Sequence, residues 1–287
     1  GYTVDSNPDR RVNEVTTEQV LVEGGLAFDV SPIDKADVKP TIQALIKKAL
    51  GPARKIKAGD VTILGSAGKK DKSGDIDIGV SPNKLFPKVS QEDFYADRNK
   101  YFKELAKALD PYVLGTKSSV GFGVIHIMFP IHDQSGKESG NNCQIDLIIG
   151  ESDNLAYYFH AADKPARKHT AALRNYTLDA LVGTANVIEK QGESLERYYI
   201  SPLKGLIKKT FTPKPKPNPK PGGPKWIPVK EEVVETNLLK GISMLTGVDP
   251  DLVMNARDEE SSLNLVVAYL KTLPEDKRKK AYADFQW

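Results

Sequence analysis

The stretch Asp75-Ile76-Asp77-Ile78 constrains this chain more than any other. In an extended strand, side chains two residues apart point the same way. Asp75 and Asp77 therefore share one face, while Ile76 and Ile78 enter a core. Isoleucine, branched at Cβ, favours that pleated surface. A second segment, Cys143-Gln144-Ile145-Asp146-Leu147-Ile148-Ile149, sets one more aspartate among aliphatic residues. Three carboxylates on neighbouring strands make a compact nest of oxygen ligands for a hard divalent cation such as Mg²⁺. Nothing structural asks for such a cluster, because like charges repel one another when no cation lies between them. Upstream, Gly65-Ser66-Ala67-Gly68-Lys69-Lys70 reads as a tight turn, where glycine lets the backbone approach a phosphate closely.

The surrounding pattern alternates strand and helix. Val38, Thr41, Ile42, Leu45, Ile46, Ala49 and Leu50 recur at helical spacing, with Asp34 as the cap and Gly51-Pro52 as the stop. Residues 61–64 form a short branched run ending at Gly65-Ser66, and residues 75–80 make the next strand. Ser90-Gln91-Glu92-Asp93 has the form of a capping box and opens a helix carrying Phe94, Tyr101, Phe102, Leu105 and Leu109. A strand follows at 124–129, then a turn-rich connector at 133–142 and the strand bearing Asp146. This order predicts a compact mixed α/β unit with helices covering a sheet. A short strand is expected near residues 18–22. Helices are expected at 161–181, 229–245, 261–273 and 275–285.

Composition narrows the class. Of 287 residues, 39% are hydrophobic and 28% charged, as in an ordinary globular protein. No run approaches the ~18–20 apolar residues needed to span a bilayer, so no membrane partner is expected. The first residues lack a basic-then-apolar leader. One cysteine precludes an internal disulfide and suits a reducing compartment, and the expected location is cytoplasmic. Net charge is +3, yet residues 201–228 hold seven lysines and no acid, leaving 34 basic against 38 acidic residues elsewhere. The positive charge is local, and its alternation with proline at 212–224 predicts an extended polyproline-like linker or loop. Such a segment suits phosphate tracking, so a nucleic-acid acceptor held by residues 201–228 is the expected macromolecular partner. Oligomeric state is not legible in the sequence.

The combination of Gly65-Ser66, a short loop, Asp75-x-Asp77 and a later Asp146 between aliphatics resembles the nucleotidyltransferase superfamily, which shares the fold of DNA polymerase beta. The local likeness is to family X DNA polymerases, and it covers roughly residues 40–150. The resemblance implies an α/β (α+β) fold: a small mixed sheet of the polymerase beta type with helices, then a mainly helical C-terminal part. It implies transfer of a nucleoside monophosphate from a nucleoside triphosphate to a hydroxyl, with a nucleic-acid 3′ end as the favoured acceptor and pyrophosphate released. Asp75 and Asp77 would hold two Mg²⁺ or Mn²⁺ ions. Asp146 would complete the catalytic-metal site and help deprotonate the acceptor. Gly65 and Ser66 would hold the β- and γ-phosphates. Lys69 matches the family's arginine, keeping its charge without the bidentate fork. Arg174 and Asn175, on a helix following the core, would reach the nucleotide.

The implied organisation is an irregular arm at 1–33, a catalytic core at 34–150, a helical segment closing the nucleotide site at 151–211, a Lys/Pro-rich linker or loop at 212–228 and a helical segment at 229–287. The helix-hairpin-helix elements of family X polymerases are missing, apart from a fragment at Leu50-Gly51-Pro52-Ala53, which argues against a standard repair polymerase. Templated and untemplated addition are equally compatible with the motifs. A small-molecule or protein nucleotidylating enzyme is the alternative, followed by a catalytically inactive nucleotide-binding module. Other features have plainer readings. His126 alternates with Ile125 and Ile127 as a sheet residue, and Cys143 is a small strand residue. Tyr157, Tyr158 and Phe159 are core aromatics that could also stack on a base, while Asp71 and Lys72 belong to a solvated turn. Lys164, Arg167, Lys168, His169 and Arg174 form either a solvated helix face or a nucleotide-facing one.

Overall fold

A computed structural model of the chain describes residues 26–159, 170–185, 189–191, 194–213, 226–256, 259–275 and 277–279. In chain order the strands are β1 (Ile33–Asp34), β2 (Thr62–Ile63), β3 (Lys72–Ser73), β4 (Asp75–Val80), β5 (Gly115–Ser119), β6 (Val124–His132), β7 (Glu138–Ile149), β8 (Glu189–Gln191), β9 (Ser194–Ser201), β10 (Gly205–Pro213) and β11 (Trp226–Glu235). The helices are α1 (Lys35–Leu45), α2 (Gly51–Arg54), α3 (Pro82–Leu85), α4 (Gln91–Ala96), α5 (Arg98–Leu109), α6 (Ser152–Tyr158), α7 (Thr170–Ala185), α8 (Leu238–Thr246), α9 (Pro250–Asn255) and α10 (Glu259–Thr272).

The expected mixed α/β fold is the fold observed. A five-stranded sheet runs in the order β2-β4-β7-β6-β5. Its only parallel pair is β4 with β7, and the other neighbours are antiparallel. The alternation in β4 and β7 sorts the two faces. Ile76, Ile78, Ile145 and Leu147, joined by Ile125 and Ile127 of β6, are fully buried under α1, α4 and α5. Each such side chain contributes about 1.5–3 kcal/mol on leaving water, so this face anchors the sheet.

On the opposite face Leu64, Ile148, Leu155 of α6 and Leu203 form a small apolar cluster at one end. Gly79 lets α6 come this close, since a Cβ at that position would lie 2.9 Å from Leu155 Cδ1. The other end of the same face carries Asp75, Asp77 and Asp146.

Several expected helices are modified. Asp34 takes the N-cap position of α1 without a side-chain capping bond and faces Lys72 at 3.6 Å. Gly51-Pro52 does not stop the helix. A π-helical turn, Ile46–Leu50, leads directly into α2, whose first turn holds Pro52. Ser90 does cap α4, accepting the Asp93 amide at 3.0 Å. The single helix expected there breaks at Asp97, whose side chain caps α5 in turn.

The second half departs most from expectation. Besides helices it contains a four-stranded antiparallel sheet in the order β11-β10-β9-β8. The apolar spacing of residues 229–245 suggests one helix, but the chain is strand to Glu235 and helix only from Leu238. Cross-strand charge pairing explains the strand: Lys208 stands opposite Glu232, and Lys209 opposite Glu231. The ends of the Lys/Pro stretch are strand as well, with Thr212 paired to Ile227 and Pro213 to Trp226. Leu178, Leu181, Ile242, Val253 and Leu265 of α7–α10 pack into a separate core. The expected strand near 18–22 and the residues Lys164, Arg167, Lys168, His169, Lys214, Lys216, Lys220 and Lys225 lie outside the described residues. Among the described residues no helix is long and apolar enough to cross a membrane.

Candidate metal and nucleotide site

The parallel pairing of β4 and β7 places Asp77 directly beside Asp146, and Asp75 beside Gln144. One carboxylate oxygen from each aspartate lies within 4.8 Å of the others. The donor set is all oxygen and wholly anionic, which fits a hard divalent cation. Burial and the neighbouring carboxylates Asp75 and Asp146 push Asp77 up to about 7. Burial raises Asp75 as well, with a further contribution from Asp146. A cation placed between the carboxylates would offset the repulsion that raises Asp75 and Asp77.

Two side chains, His126, which the sequence suggests is a plain sheet residue, and Gln144, converge on Asp146, and Ser119 stands behind His126. His126 lies opposite it on β6, with Nδ1 2.8 Å from Asp146 Oδ1. Gln144, two residues before Asp146 on the same face, donates Nε2–H to the same oxygen at 2.9 Å. Ser119 Oγ stands 3.0 Å from His126 Nε2. The hydrogen bond to Asp146 raises the His126 pKa above its ordinary value, although burial opposes the shift. Period-two spacing alone marks Gln144 as a neighbour of Asp146. Finding His126 and Ser119 requires the register of β5, β6 and β7, which short-range patterns do not encode.

The glycine turn lies against this centre. Leu64 N–H donates to the Asp77 carbonyl at 2.9 Å. Gly65 has φ +61°, and a Cβ there would stand 2.5 Å from Asp77 Oδ2. The following residues close on Ser66, whose carbonyl accepts the Lys69 and Lys70 amides. Among the backbone amides around Gly65 expected to hold phosphate, the Gly65 N–H itself is engaged, donating to the Phe159 carbonyl at 3.1 Å.

Beside the turn opens a cleft of about 460 Å³, lined among others by Gly65, Ala67, Lys69, Tyr157, Phe159 and Asn237. The cleft thus joins the glycine turn to α6 and the start of α8. Tyr157 is buried and its hydroxyl donates to the Val253 carbonyl at 2.7 Å, in keeping with its reading as a core aromatic. Asn154 of α6, also buried, donates to the Thr236 carbonyl at 2.6 Å and accepts the Leu238 amide at 2.8 Å. Arg174 belongs to the backbone of α7, but its side chain is outside the described residues. Asn175 on the same helix is buried, with Nδ2 3.4 Å from the Tyr158 carbonyl.

The basic segment is less cationic than its composition suggests. Lys204 and Lys209 both pair with Glu231, the latter at 3.2 Å. Lys208 bridges Glu196 at 3.5 Å and Glu232 at 3.2 Å. Each of the lysines of this segment among the described residues therefore has a glutamate partner.

No protein-family profile matches the sequence, and no curated protein does. Among solved structures, Leishmania infantum polymerase beta in a ternary P/T complex is similar over 90% of this chain and 84% of its own, with 15% identity and a TM-score of 0.36. The ternary gap complex of the same polymerase is similar over 89% and 78%, with 14% identity and a TM-score of 0.35. At such distances function has to be argued from the site itself. That site is a three-carboxylate centre on a mixed sheet, flanked by a glycine turn and a cleft.

Proposed function

We propose that the chain is a divalent-metal-dependent nucleotidyltransferase that moves a nucleoside monophosphate from a nucleoside triphosphate to a hydroxyl and releases pyrophosphate. The observation that carries this reading is the in-register pairing of Asp77 with Asp146, with Asp75 two residues earlier, so that three carboxylates converge under the Gly65 turn. Asp75 and Asp77 would hold two Mg²⁺ or Mn²⁺ ions, and Asp146 would complete the site nearest the acceptor. Paired ions of this kind stabilise attacking and leaving oxygens at once.

The protein's own groups do the rest. Ser66 would hold the β- and γ-phosphates together with turn amides other than those of Gly65, Lys69 and Lys70, which already have carbonyl partners. Lys69, on the rim of the cleft, adds positive charge, and Arg174 on α7 is a second candidate for the triphosphate. The cleft between the turn and α6 has room for the nucleoside. Asp146 accepts the proton of the incoming hydroxyl. The single buried cysteine suits a reducing, cytoplasmic setting.

The favoured acceptor is a nucleic-acid 3′ end, supported by the lysines of residues 201–228. A specific observation favours a second reading: Lys204, Lys208 and Lys209 are matched by glutamates, which lowers the attraction for a polyanion. A small molecule or protein would then receive the nucleotide. The test is incubation with each labelled nucleoside triphosphate, Mg²⁺ or Mn²⁺, and single-stranded DNA, single-stranded RNA, primed duplex or no acceptor. Extended oligonucleotides select the first acceptor class, and label on protein or small molecules the second. If nothing is labelled and Asp77→Ala changes nothing measurable, the enzymatic reading fails.

A further inference from the structure

We infer that Ser119, His126 and Gln144 form a positioning chain that fixes Asp146 as a one-oxygen metal ligand. The inference rests on the reading of the three aspartates as a divalent-cation centre. A carboxylate oxygen has about two acceptor positions, and Asp146 Oδ1 has two N–H groups within bonding distance, from His126 at 2.8 Å and Gln144 at 2.9 Å. Both positions on Oδ1 are thereby filled, and Oδ2 is the oxygen left for a cation.

The imidazole is held from both ends. With Nδ1–H directed at Asp146, a neutral ring leaves Nε2 as an acceptor for the Ser119 hydroxyl, 3.0 Å away. Every polar atom of the ring then has a partner, and the tautomer that donates to Asp146 is selected. The side chains of His126 and Asp146 are 17% and 15% exposed, so water competes weakly for these bonds. All four residues belong to adjacent strands β5, β6 and β7, whose backbones are fixed by ladder hydrogen bonds. The arrangement therefore sets both the rotation of the Asp146 carboxylate and the distance between its free oxygen and Asp77. Partners of this kind around a ligating side chain change metal affinity by about 10–100-fold when removed.

The experiment measures Mn²⁺ affinity of the full chain by titration calorimetry, together with the metal-free melting temperature. Wild type, Asp77→Ala, His126→Ala, His126→Asn and Ser119→Ala are compared. His126→Ala is expected to weaken Mn²⁺ binding at least tenfold. His126→Asn, whose Nδ2–H can stand in for Nδ1–H, should recover a large part of that loss. Ser119→Ala, which removes only the outer link, should cost a few-fold. If His126 were merely a packing residue, both variants would lower the metal-free melting temperature and leave Mn²⁺ affinity unchanged, which overturns the inference. Should His126→Ala fail to fold, Ser119→Ala with wild-type affinity and stability has the same force. Wild type that binds no more Mn²⁺ than Asp77→Ala overturns the metal reading itself, and that control separates the two failures.

Discussion

Asp77 and Asp146 face the same side of the sheet as direct neighbours on parallel strands, with Asp75 close enough to share a cation with both. Without a cation this neighbourhood is unfavourable. The Asp77 carboxyl is pushed up to about 7 by burial and by the two other carboxylates.

The sign of the pH effect follows. An acid whose folded pKa lies above its unfolded value near 3.9 destabilises the fold as pH rises between the two. For a shift of this size the cost at pH 8 is roughly 4 kcal/mol as an upper value. Asp77→Asn should therefore melt above wild type when both are metal-free at pH 8, with the difference shrinking towards pH 4. Saturating Mg²⁺ should stabilise wild type and leave Asp77→Asn unmoved. Thermal melts in chelator across pH would contradict this if wild type were the more stable protein at pH 8.

Gly65 is the point where backbone and carboxylate come closest. Gly65→Ala would meet Asp77 Oδ2 at 2.5 Å and force a side chain onto a backbone with φ +61°. The left-handed conformation alone costs about 1–2 kcal/mol. Displacement of Asp77 should in addition weaken Mn²⁺ binding at least tenfold. Chemical denaturation and metal titration of the same sample separate the two effects, and unaltered metal affinity would count against the close approach.

Lys208 and Lys209 should contribute little to phosphate contact, because each already faces glutamate across the sheet. A lysine that neutralises a phosphate contributes about 0.7–0.9 to the salt-dependence slope of binding. The double variant Lys208→Ala with Lys209→Ala is expected to leave the slope of oligonucleotide anisotropy against salt within about 0.5 of wild type. Stability should change by no more than about 1 kcal/mol per pair. A slope reduced by nearly two would return these lysines to the acceptor-binding surface.

Asn154 links α6 to the start of α8 through two hydrogen bonds made while buried. Asn154→Ala strands the Thr236 carbonyl and the Leu238 amide, at about 1–3 kcal/mol for each buried group left unsatisfied. Hydrogen exchange should show the Leu238 amide losing protection before the amides of β4 do. Equal protection in both places would mean that the two regions open as one unit.

The site was legible in the sequence where its logic is local. Alternation places Asp75 and Asp77 on one face and the isoleucines on the other, and β4 has the expected bounds. The Ser90 cap is local too, and its bond to Asp93 forms. What sequence reading missed depends on register between segments far apart in the chain. His126 meets Asp146 only because the turn at 133–137 aligns β6 with β7. The β9–β11 sheet was hidden for another reason: residues 151–211 and 229–245 are expected to be helical, and only the cross-strand register shows their lysines and glutamates opposite one another. The apolar spacing of 229–245 merged the end of a strand with the start of a helix, since Val233, Val234, Leu238 and Ile242 fit either period.

The strict alternation in β4 also acts as a safeguard against misassembly. A slip of one residue would drive Asp75 and Asp77 into the apolar layer and turn Ile76 and Ile78 out to water, reversing every favourable placement in the strand. Desolvating an unpaired carboxylate is far more costly than exposing any one isoleucine. No neighbouring alignment can compete with the native one, so the residues that would hold the cation also proofread the folding of the sheet that carries them.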